Sequence, residues 1–222
     1  MTAEFALRCV RIPSLELSRR FRDAPRFMPL CAACPNFGRQ WSCPPYETDE
    51  TRFEAPGLEC AVIDAEVPTE GWTVPDGCDP AAFSKKMLDR VRLRLDAMLI
   101  KAESEMPAAA FFAGSCANCP LPECARISGA PCPRPSFMRR SLESCGFDVE
   151  AVVRELFFAK LEWAEGGKLP RAFHLVSCLL FSRGTPLPHF LQPAAEAESI
   201  KKTTAKITAP ANANPGGSAT DF

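Results

Sequence analysis

Four cysteines lie within 17 residues near the middle of the chain, in a segment with too much proline and glycine for a continuous helix or strand. We name this segment, GSCANCPLPECARISGAPCPRP (residues 114–135), the second cysteine loop. Its thiols are separated by gaps of two, four and seven residues, and they belong to Cys116, Cys119, Cys124 and Cys132. Buried packing suits scattered cysteines but does not account for four of them in one loop. The loop therefore predicts a complete sulfur ligand set for one metal ion or cluster.

An earlier segment, CAACPNFGRQWSCPP (residues 31–45), has a related pattern, and we name it the first cysteine loop. Its thiols follow the spacing CxxC, eight residues, Cys-Pro-Pro, and belong to Cys31, Cys34 and Cys43. A two-residue gap lets both sulfurs of a CxxC pair turn toward one metal. Gly38 gives the intervening residues the freedom to fold back over the site. Another cysteine, a Glu, an Asp, a water or a bound ligand would have to complete this site.

The amino-acid composition narrows the kinds of site and partner that the chain can have. The chain has 12 cysteines but only two histidines, so a three-histidine zinc site is excluded and a Ser-His-Asp triad would depend on His174 or His189. A net charge of −1 does not favour nucleic acid as a partner. The N-terminus lacks the apolar block of a secretory signal, and the longest apolar run, residues 175–181, is too short to cross a bilayer. We therefore expect a cytoplasmic protein without a membrane span, whose clustered cysteines bind metal instead of forming disulfides.

Basic residues flank both cysteine loops. Residues 19–43 contain five arginines and one aspartate, a local charge of +4, and residues 116–147 have a local charge of +2. Cationic neighbours lower thiol pKa values, so these arginines are expected to favour thiolates. The alternative is that they form a solvated surface.

The other cysteines, with His174, are expected to be structural. Cys9, Cys60 and Cys178 lie in apolar strand-like runs and Cys145 at a helix end, all of which favours packing. Cys78 lies in a turn, and we expect His174 to be a core residue with its polar atoms satisfied.

Hydrophobic patterning predicts the strands and helices of a small mixed α/β (α+β) body. Apolar runs predict strands at residues 5–12, 58–67, 108–113 and 172–182, the last of them central. Asp79 followed by proline predicts the start of a long amphipathic helix that Pro107 ends. A short helix over residues 136–145 closed by Gly146, and another capped by Asp148 and stopped at residues 166–167, are also expected.

The segments without a helix or strand pattern predict the domain organisation. Residues 19–45 have no sustained period and predict a long ordered loop. Residues 193–222 are rich in Ala, Thr, Pro, Gly and Asn and predict a disordered tail. The expected organisation is a cysteine-rich metal-binding domain over residues 1–192, with a small central sheet, flanking helices and long cysteine-rich loops, followed by that tail.

Taken together, these motifs resemble a known family. They are the first cysteine loop with Gly38 and Trp41, the GxCxxC start at Gly114, the spacing from Cys124 to Cys132, and PSFMRRSLESCGFDV at residues 135–149. The pattern resembles the uncharacterised family of predicted metal-binding proteins found mainly in anaerobic bacteria and archaea. The resemblance implies metal binding, with iron–sulfur ligation the leading expectation, and implies no particular reaction. In that pattern the gap before the third cysteine of the second loop is commonly two residues, whereas residues 120–123 make it four here.

Three functions are consistent with these observations. The first is an iron–sulfur protein with a [4Fe–4S] cluster on the second cysteine loop and a second metal site on the first, passing single electrons to a redox partner. A cluster with three thiols and one open iron could instead bind a substrate, and the sequence leaves carrier and enzyme both open. The second is a zinc-stabilised structural or binding module. The third is a thiol oxidoreductase using Cys31 and Cys34, although that CxxC does not open a helix that follows a strand.

Overall fold

The computed structural model describes residues 4–119 and 121–192. Within them, two long strands, β2 (Leu58–Pro68) and β4 (Ala172–Ser182), lie side by side at the centre of a sheet. Strand β1 (Ala6–Pro13) pairs with β2, and β3 (Ala108–Phe111) pairs with β4. The strand order is β1-β2-β4-β3, and every neighbouring pair is antiparallel. The mixed α/β class is confirmed.

Both faces of the sheet are covered, and most residues of its central strands are apolar side chains that pack on one face or the other. Along β2, Cys60 and Val62 face one apolar cluster, whereas Ala61 and Ile63 face another on the opposite side. Strands that are buried on both faces have near-continuous apolar sequences. The prediction of a central strand at residues 172–182 is therefore confirmed, and so are the other three predicted strands, with small differences at their ends.

Helices provide the two covering layers. On one face pack α1 (Ser14–Phe21) and α4 (Val149–Leu156), and on the other packs the long α3 (Pro80–Glu105). As predicted, Asp79 caps α3 by accepting a 3.0 Å hydrogen bond from the Ala82 amide. Asp148 caps α4 by accepting a 2.9 Å hydrogen bond from the Ala151 amide. A further helix, α2 (Ala24–Ala32), has no buried residue and leads out of the core into the first cysteine loop.

Three sequence predictions about helices are wrong. Residues 19–45 do not form one long loop, because α1 extends to Phe21 and α2 occupies Ala24–Ala32. The sequence does contain start signals for α2, namely Asp23 as its cap and a proline in its first turn. Pro29 lies inside the helix, however, and a proline there interrupts the pattern by which a helix is recognised in a sequence. The helix α4 ends at Leu156, ten residues before the predicted glycine stop.

The helix predicted over residues 136–145 is also absent, and two short 3-10 helices, Pro135–Phe137 and Glu143–Cys145, stand in its place. The backbone between the two 3-10 helices bonds to another part of the chain instead of forming a helix. The Arg140 carbonyl accepts a 2.9 Å hydrogen bond from the amide of Phe112, the residue that follows β3. Gly146 does end the segment as predicted, in the left-handed conformation with φ of +84°.

The prediction that His174 is a core residue is confirmed, and one of its ring nitrogens has a partner. Its Nδ1 lies 3.1 Å from Asp64 Oδ2, and Asp64 is fully buried beside the guanidinium of Arg8.

None of the helices in the described ranges has the length and hydropathy that a bilayer crossing requires. The predicted disordered tail, residues 193–222, lies outside the described residues.

Candidate metal centre

The first cysteine loop starts on a helix and folds back on itself. Cys31 lies in the last turn of α2, and its carbonyl accepts a 3.0 Å hydrogen bond from the Cys34 amide, which turns the chain at the CxxC pair. Gly38 has a φ of +68°, and its amide donates a 2.8 Å hydrogen bond to the Pro44 carbonyl. The freedom predicted for Gly38 is therefore used to close the loop, and the closure brings Cys43 back toward the CxxC pair.

The three thiols of this loop influence one another electrostatically. Burial raises the pKa of the Cys31 thiol, and the nearby Cys34 and Glu143 raise it further because like charges repel. Burial is also the main reason that the pKa of Cys43 is raised, with Cys34 and Cys31 adding to it. A raised thiol pKa at the C-terminal end of a helix is the reverse of what a nucleophilic CxxC thiol needs. The arrangement disfavours the thiol oxidoreductase interpretation.

The helix α3 holds the start of the second cysteine loop. Arg92 Nε donates a 2.7 Å hydrogen bond to the Ala113 carbonyl, and the same guanidinium bonds to the Ser115 carbonyl. One turn further along α3, Asp96 Oδ2 accepts a 2.8 Å hydrogen bond from Asn118 Nδ2. Arg92 and Asp96 are four residues apart, so both project from one side of the helix. Together the side chains of Arg92 and Asp96 hold in place the segment that contains Cys116 and Cys119.

Two thiols of the second loop, those of Cys119 and Cys132, act electrostatically on a third, that of Cys116. Burial raises the pKa of Cys116, and the nearby Asp96, Cys132 and Cys119 raise it further by charge repulsion. Cys124 immediately precedes the short 3-10 helix Ala125–Ser128. The structure therefore brings Cys116, Cys119 and Cys132 into one neighbourhood, and the assignment of Cys116, Cys119, Cys124 and Cys132 as metal ligands stays a prediction.

The two cysteine loops are packed against each other. The backbone amide of Cys116 donates a 3.0 Å hydrogen bond to the hydroxyl of Ser42, which is 1% exposed. Asn36 Nδ2 lies 3.3 Å from Ser115 Oγ and donates to it. Trp41 Nε1 donates a 3.1 Å hydrogen bond to the Ala130 carbonyl. Loops that are some 70 residues apart in sequence, as Ser42 and Cys116 are, thus form one region.

Arg126 crosses from the second loop to the first. Its Nη1 donates hydrogen bonds of 2.7 Å to the Gln40 carbonyl and 2.5 Å to the Cys43 carbonyl. Its Nη2 donates a 2.6 Å hydrogen bond to the Pro45 carbonyl. The guanidinium also stacks 5.1 Å from the ring centre of Trp41. The guanidinium of an arginine has five N–H donors in a rigid plane, so one arginine can donate to several carbonyl groups of a loop at once.

The arginines that flank the cysteine loops lower the thiol pKa values less than expected. Arg126 lowers the pKa of Cys43, but burial of that thiol outweighs the effect. Arg22 instead pairs with Asp49 at 2.6 Å, and Arg26 pairs with Asp148 at 3.6 Å. Burial is the largest cause of the raised pKa at Cys31, Cys43 and Cys116, so the low thiol pKa values expected from the basic flanks are not found at these three thiols.

The cysteine sulfurs of the two loops are chemically suited to a soft metal. Cysteine sulfurs are the ligands that zinc and iron–sulfur clusters prefer, and two sets of three thiols lie in one region. Within residues 4–119 and 121–192, no group of three or more Cys, His, Asp or Glu side chains is placed so that it could hold a metal ion. Ligand side chains commonly close on a metal as it binds, and thiols with raised pKa values release their protons in that step. The chemistry of the donors fits a soft metal, and the ligand assignments stay predictions.

Three of the cysteines predicted to be structural are found in the core, and Cys9 is half-buried in β1. Cys60 and Cys178 are fully buried and Cys145 is 3% exposed, all in the apolar cluster between the sheet and α1 and α4. Burial raises the pKa of Cys145 to about 12, which makes this thiol unreactive at neutral pH. Cys78 is exposed in its turn.

Several residues that organise the site had weak sequence signals. Ser42 and Asn118 are ordinary polar residues inside the cysteine loops, and nothing in a spacing motif marks them. Arg126 is recognisable in the sequence only as one of the basic residues that flank the cysteines. Asp96 has a usable signal, because it lies on the buried side of α3 together with Leu95 and Leu99, where a lone carboxylate is unusual.

Comparison with known proteins gives one match. The sequence model of a family described as "Predicted metal-binding protein (DUF2284)" matches residues 18–181. No curated protein and no solved structure matches the chain. The matched range includes both cysteine loops and ends within the central strand β4.

Proposed function

The chain belongs to the DUF2284 family of predicted metal-binding proteins, and from this premise we propose that it is a cytoplasmic iron–sulfur protein that passes single electrons to a partner enzyme. A [4Fe–4S] cluster on the second cysteine loop and a further metal site on the first make up the proposed centre. When bound, such a cluster supplies one-electron exchange at a potential set by burial, charge and hydrogen bonds to sulfur.

One observation carries the proposal, namely the packing of the two cysteine loops against each other. Ser42 accepts from the Cys116 amide, and Arg126 binds the carbonyls on both sides of Trp41 and Ser42. Two metal sites in one region suit electron exchange, which requires redox centres to lie near each other and near the surface.

The chain's own residues have definable roles in such a centre. The Ser42 hydroxyl lies 3.8 Å from Cys43 Sγ, so it can donate a hydrogen bond to that sulfur and stabilise its charged form. Arg126 adds a positive charge near Cys43. Burial of Cys43 and Cys116 limits the access of water, which favours the less charged oxidation state.

Zinc is the second candidate, because thiolate sites accept both metals. Its support is the CxxC pair in each loop, the ligand spacing of structural zinc sites. Against it stands the two-sided hydrophobic core, since a chain that already buries such a core has less need of a metal to fold.

Metal and sulfide analysis separates the two candidates. We expect the full chain, purified without oxygen, to be brown, to contain iron and acid-labile sulfide, and to bleach on reduction with dithionite. Cys116→Ser and Cys31→Ser should each lose iron, whereas Cys78→Ser, which changes an exposed cysteine outside both loops, should keep the wild-type content. A colourless protein with stoichiometric zinc would contradict the iron–sulfur proposal, and a protein without bound metal would contradict both candidates.

A further inference from the structure

A cavity of about 310 Å³ lies against β4 beyond the end of β3. The strand β2 pairs with the whole of β4, whereas β3 pairs only with residues 178–181. Residues 173–176 of β4 line the cavity, together with the first half of α3 and the segment 161–164. Sites for small molecules have volumes of about 300–1,000 Å³, so this cavity suits a ligand of one or two rings.

The lining provides a surface for an apolar ring. Leu88, Leu161, Trp163 and Phe173 all contribute to it. Trp163 is 69% exposed, so a large aromatic surface at the cavity is left in water. Aromatic side chains make favourable stacked and edge-on contacts with other rings. A flat aromatic ligand would therefore cover Trp163 and gain such contacts.

The charged residues of the lining disfavour an anion. Three of them are acidic and two are basic, namely Asp89, Glu143, Glu162, Lys85 and Arg92. Lys85 Nζ lies 2.7 Å from Asp89 Oδ2, and Arg92 Nη1 lies 3.2 Å from Asp89 Oδ1. Because both cations are already paired and the carboxyl groups outnumber them, the lining favours a neutral ligand over an anionic one.

One buried polar side chain also lines the cavity, that of His174, which is 6% exposed. Its Nδ1 lies 3.2 and 3.1 Å from the two oxygens of Asp64. Asp64 is fully buried and forms an ion pair with Arg8, so its carboxylate only accepts hydrogen bonds. The proton between the two residues therefore belongs to Nδ1, and Nε2 of the neutral ring is an acceptor.

The position of the ring directs Nε2 into the cavity. The two nitrogens lie on opposite sides of an imidazole, and Nδ1 turns toward Asp64 of β2, so Nε2 turns toward the edge of β4 that the cavity adjoins. Within the described part of the chain, no residue hydrogen-bonds to Nε2. Nε2 is not one of the fully buried side-chain atoms that lack a partner, so it is accessible.

We propose that this cavity binds a small, neutral phenol, whose hydroxyl group donates a hydrogen bond to His174 Nε2. Asp64 is a positioning residue that fixes the ring and its tautomer. Arg92 and Gly114 also line the cavity, so the ligand lies beside the start of the second cysteine loop. The proposal goes beyond the proposed function and does not depend on a bound metal.

Three matched probes test the ligand chemistry by ¹⁹F NMR titration of the full chain. We expect 4-fluorophenol to bind. We expect 4-fluoroanisole, which has no donor, to bind at least about tenfold more weakly, since a hydrogen bond contributes about 0.5–1.5 kcal/mol and an unpaired buried acceptor costs more. The anionic 4-fluorobenzoate should also bind more weakly. Equal affinities for the phenol and the anisole, a preference for the benzoate, or no binding of the phenol would each overturn the proposal.

Two exposed aromatic residues test the location of the site. Trp163→Ala removes a side chain of the lining and should weaken 4-fluorophenol binding about three- to tenfold. Phe158→Ala is the matched control, because Phe158 is 70% exposed and does not line the cavity. Neither change removes a buried side chain, so both variants should fold. Equal affinities in the two variants would show that the phenol binds elsewhere.

Nitrogen NMR tests the role of His174 directly, because the chain has only two histidines. We expect the Nε2 signal of His174 at neutral pH to be that of an unprotonated nitrogen and to shift when 4-fluorophenol is added, whereas the His189 signals should not move. His189→Gln assigns the spectrum. A proton on Nε2 instead of Nδ1, or an unchanged His174 signal, would overturn the proposal. A chain that binds the phenol but no metal would overturn only the proposed function.

Discussion

The backbone amide of Cys116 donates its hydrogen bond to the side chain of Ser42, so a proposed metal ligand of one loop is held by a serine of the other. Ser42 is almost completely buried, and its hydroxyl lies next to Cys43 Sγ as well. This single side chain therefore contacts the backbone of one proposed ligand, Cys116, and the sulfur of another, Cys43. It couples two segments whose individual motifs give no indication that they meet.

Replacement of Ser42 should weaken both metal sites together. Ser42→Ala leaves the Cys116 amide without its acceptor in a buried position, so we expect a loss of about 1–3 kcal/mol in the free energy of unfolding. Urea unfolding measures the loss, and metal analysis should show a lower content in both loops. Ser128→Ala, which removes a hydroxyl that bonds only to the nearby Ala125 carbonyl, is the control and should change little. A normal metal content in Ser42→Ala would show that the loops bind metal independently.

Arg126 should control access to Cys43. In Arg126→Ala the Gln40, Cys43 and Pro45 carbonyls lose their shared donor, and hydrogen bonds to a charged group contribute about 1.5–3 kcal/mol. We expect faster alkylation of Cys43, which is 9% exposed in the intact loop, as followed by mass spectrometry of the metal-free chain. Arg134→Ala removes a contact within the second loop, to the Asn118 carbonyl, and should leave the Cys43 rate unchanged. The same rate in all three proteins would show that Arg126 does not hold the loop closed.

Gly146 should be the glycine least tolerant of alanine. A Cβ at this position would lie 2.6 Å from the Ala24 Cα at the start of α2, and the φ of +84° disfavours any side chain. Strain and overpacking together predict a loss of about 2–5 kcal/mol. Gly184→Ala has a similar φ of +87° with nothing within 4 Å, so it isolates the backbone strain and should cost about 1–2 kcal/mol. Thermal unfolding of the two variants measures the difference, and equal losses would contradict the close approach of α2.

Glu50 should give the chain a part of its acid sensitivity. Burial by itself raises the pKa of this carboxyl, but the hydrogen bonds and charge of Arg52, with the charge of Arg140, outweigh burial and lower it. A carboxyl with a lowered pKa stabilises the folded state above its ordinary pKa, and this contribution is lost as the pH falls through the lowered value. Glu50→Gln should therefore be about 1–3 kcal/mol less stable than wild type at pH 7, and the two should converge in acid.

Urea midpoints at neutral and acidic pH test this convergence. Glu47→Gln, which changes an exposed carboxyl of the same segment, should follow wild type throughout. A difference between Glu50→Gln and wild type that stays constant with pH would contradict the proposed linkage.

The sequence by itself determined the strands, the long helix and the cysteine loops. Apolar runs marked β2 and β4 because both of their faces are buried, and Asp79 marked the start of α3 because a capping carboxylate precedes the helical period. These signals are local, since each depends on residues within one or two turns of chain. The same locality explains the failure at residues 136–145, where a helical pattern was overridden by the hydrogen bond from Phe112 to Arg140.

Only the tertiary structure decided which residues surround the thiols. Asp96 and Ser42 are distant in sequence from Cys116, and they reach it because α3 packs under one loop and the first cysteine loop folds back over the other. Burial also outweighed the expected effect of the arginines, since it raises the pKa of Cys43 more than the nearby Arg126 lowers it. Desolvation and long-range pairing depend on how the whole chain packs, and no spacing motif contains that information.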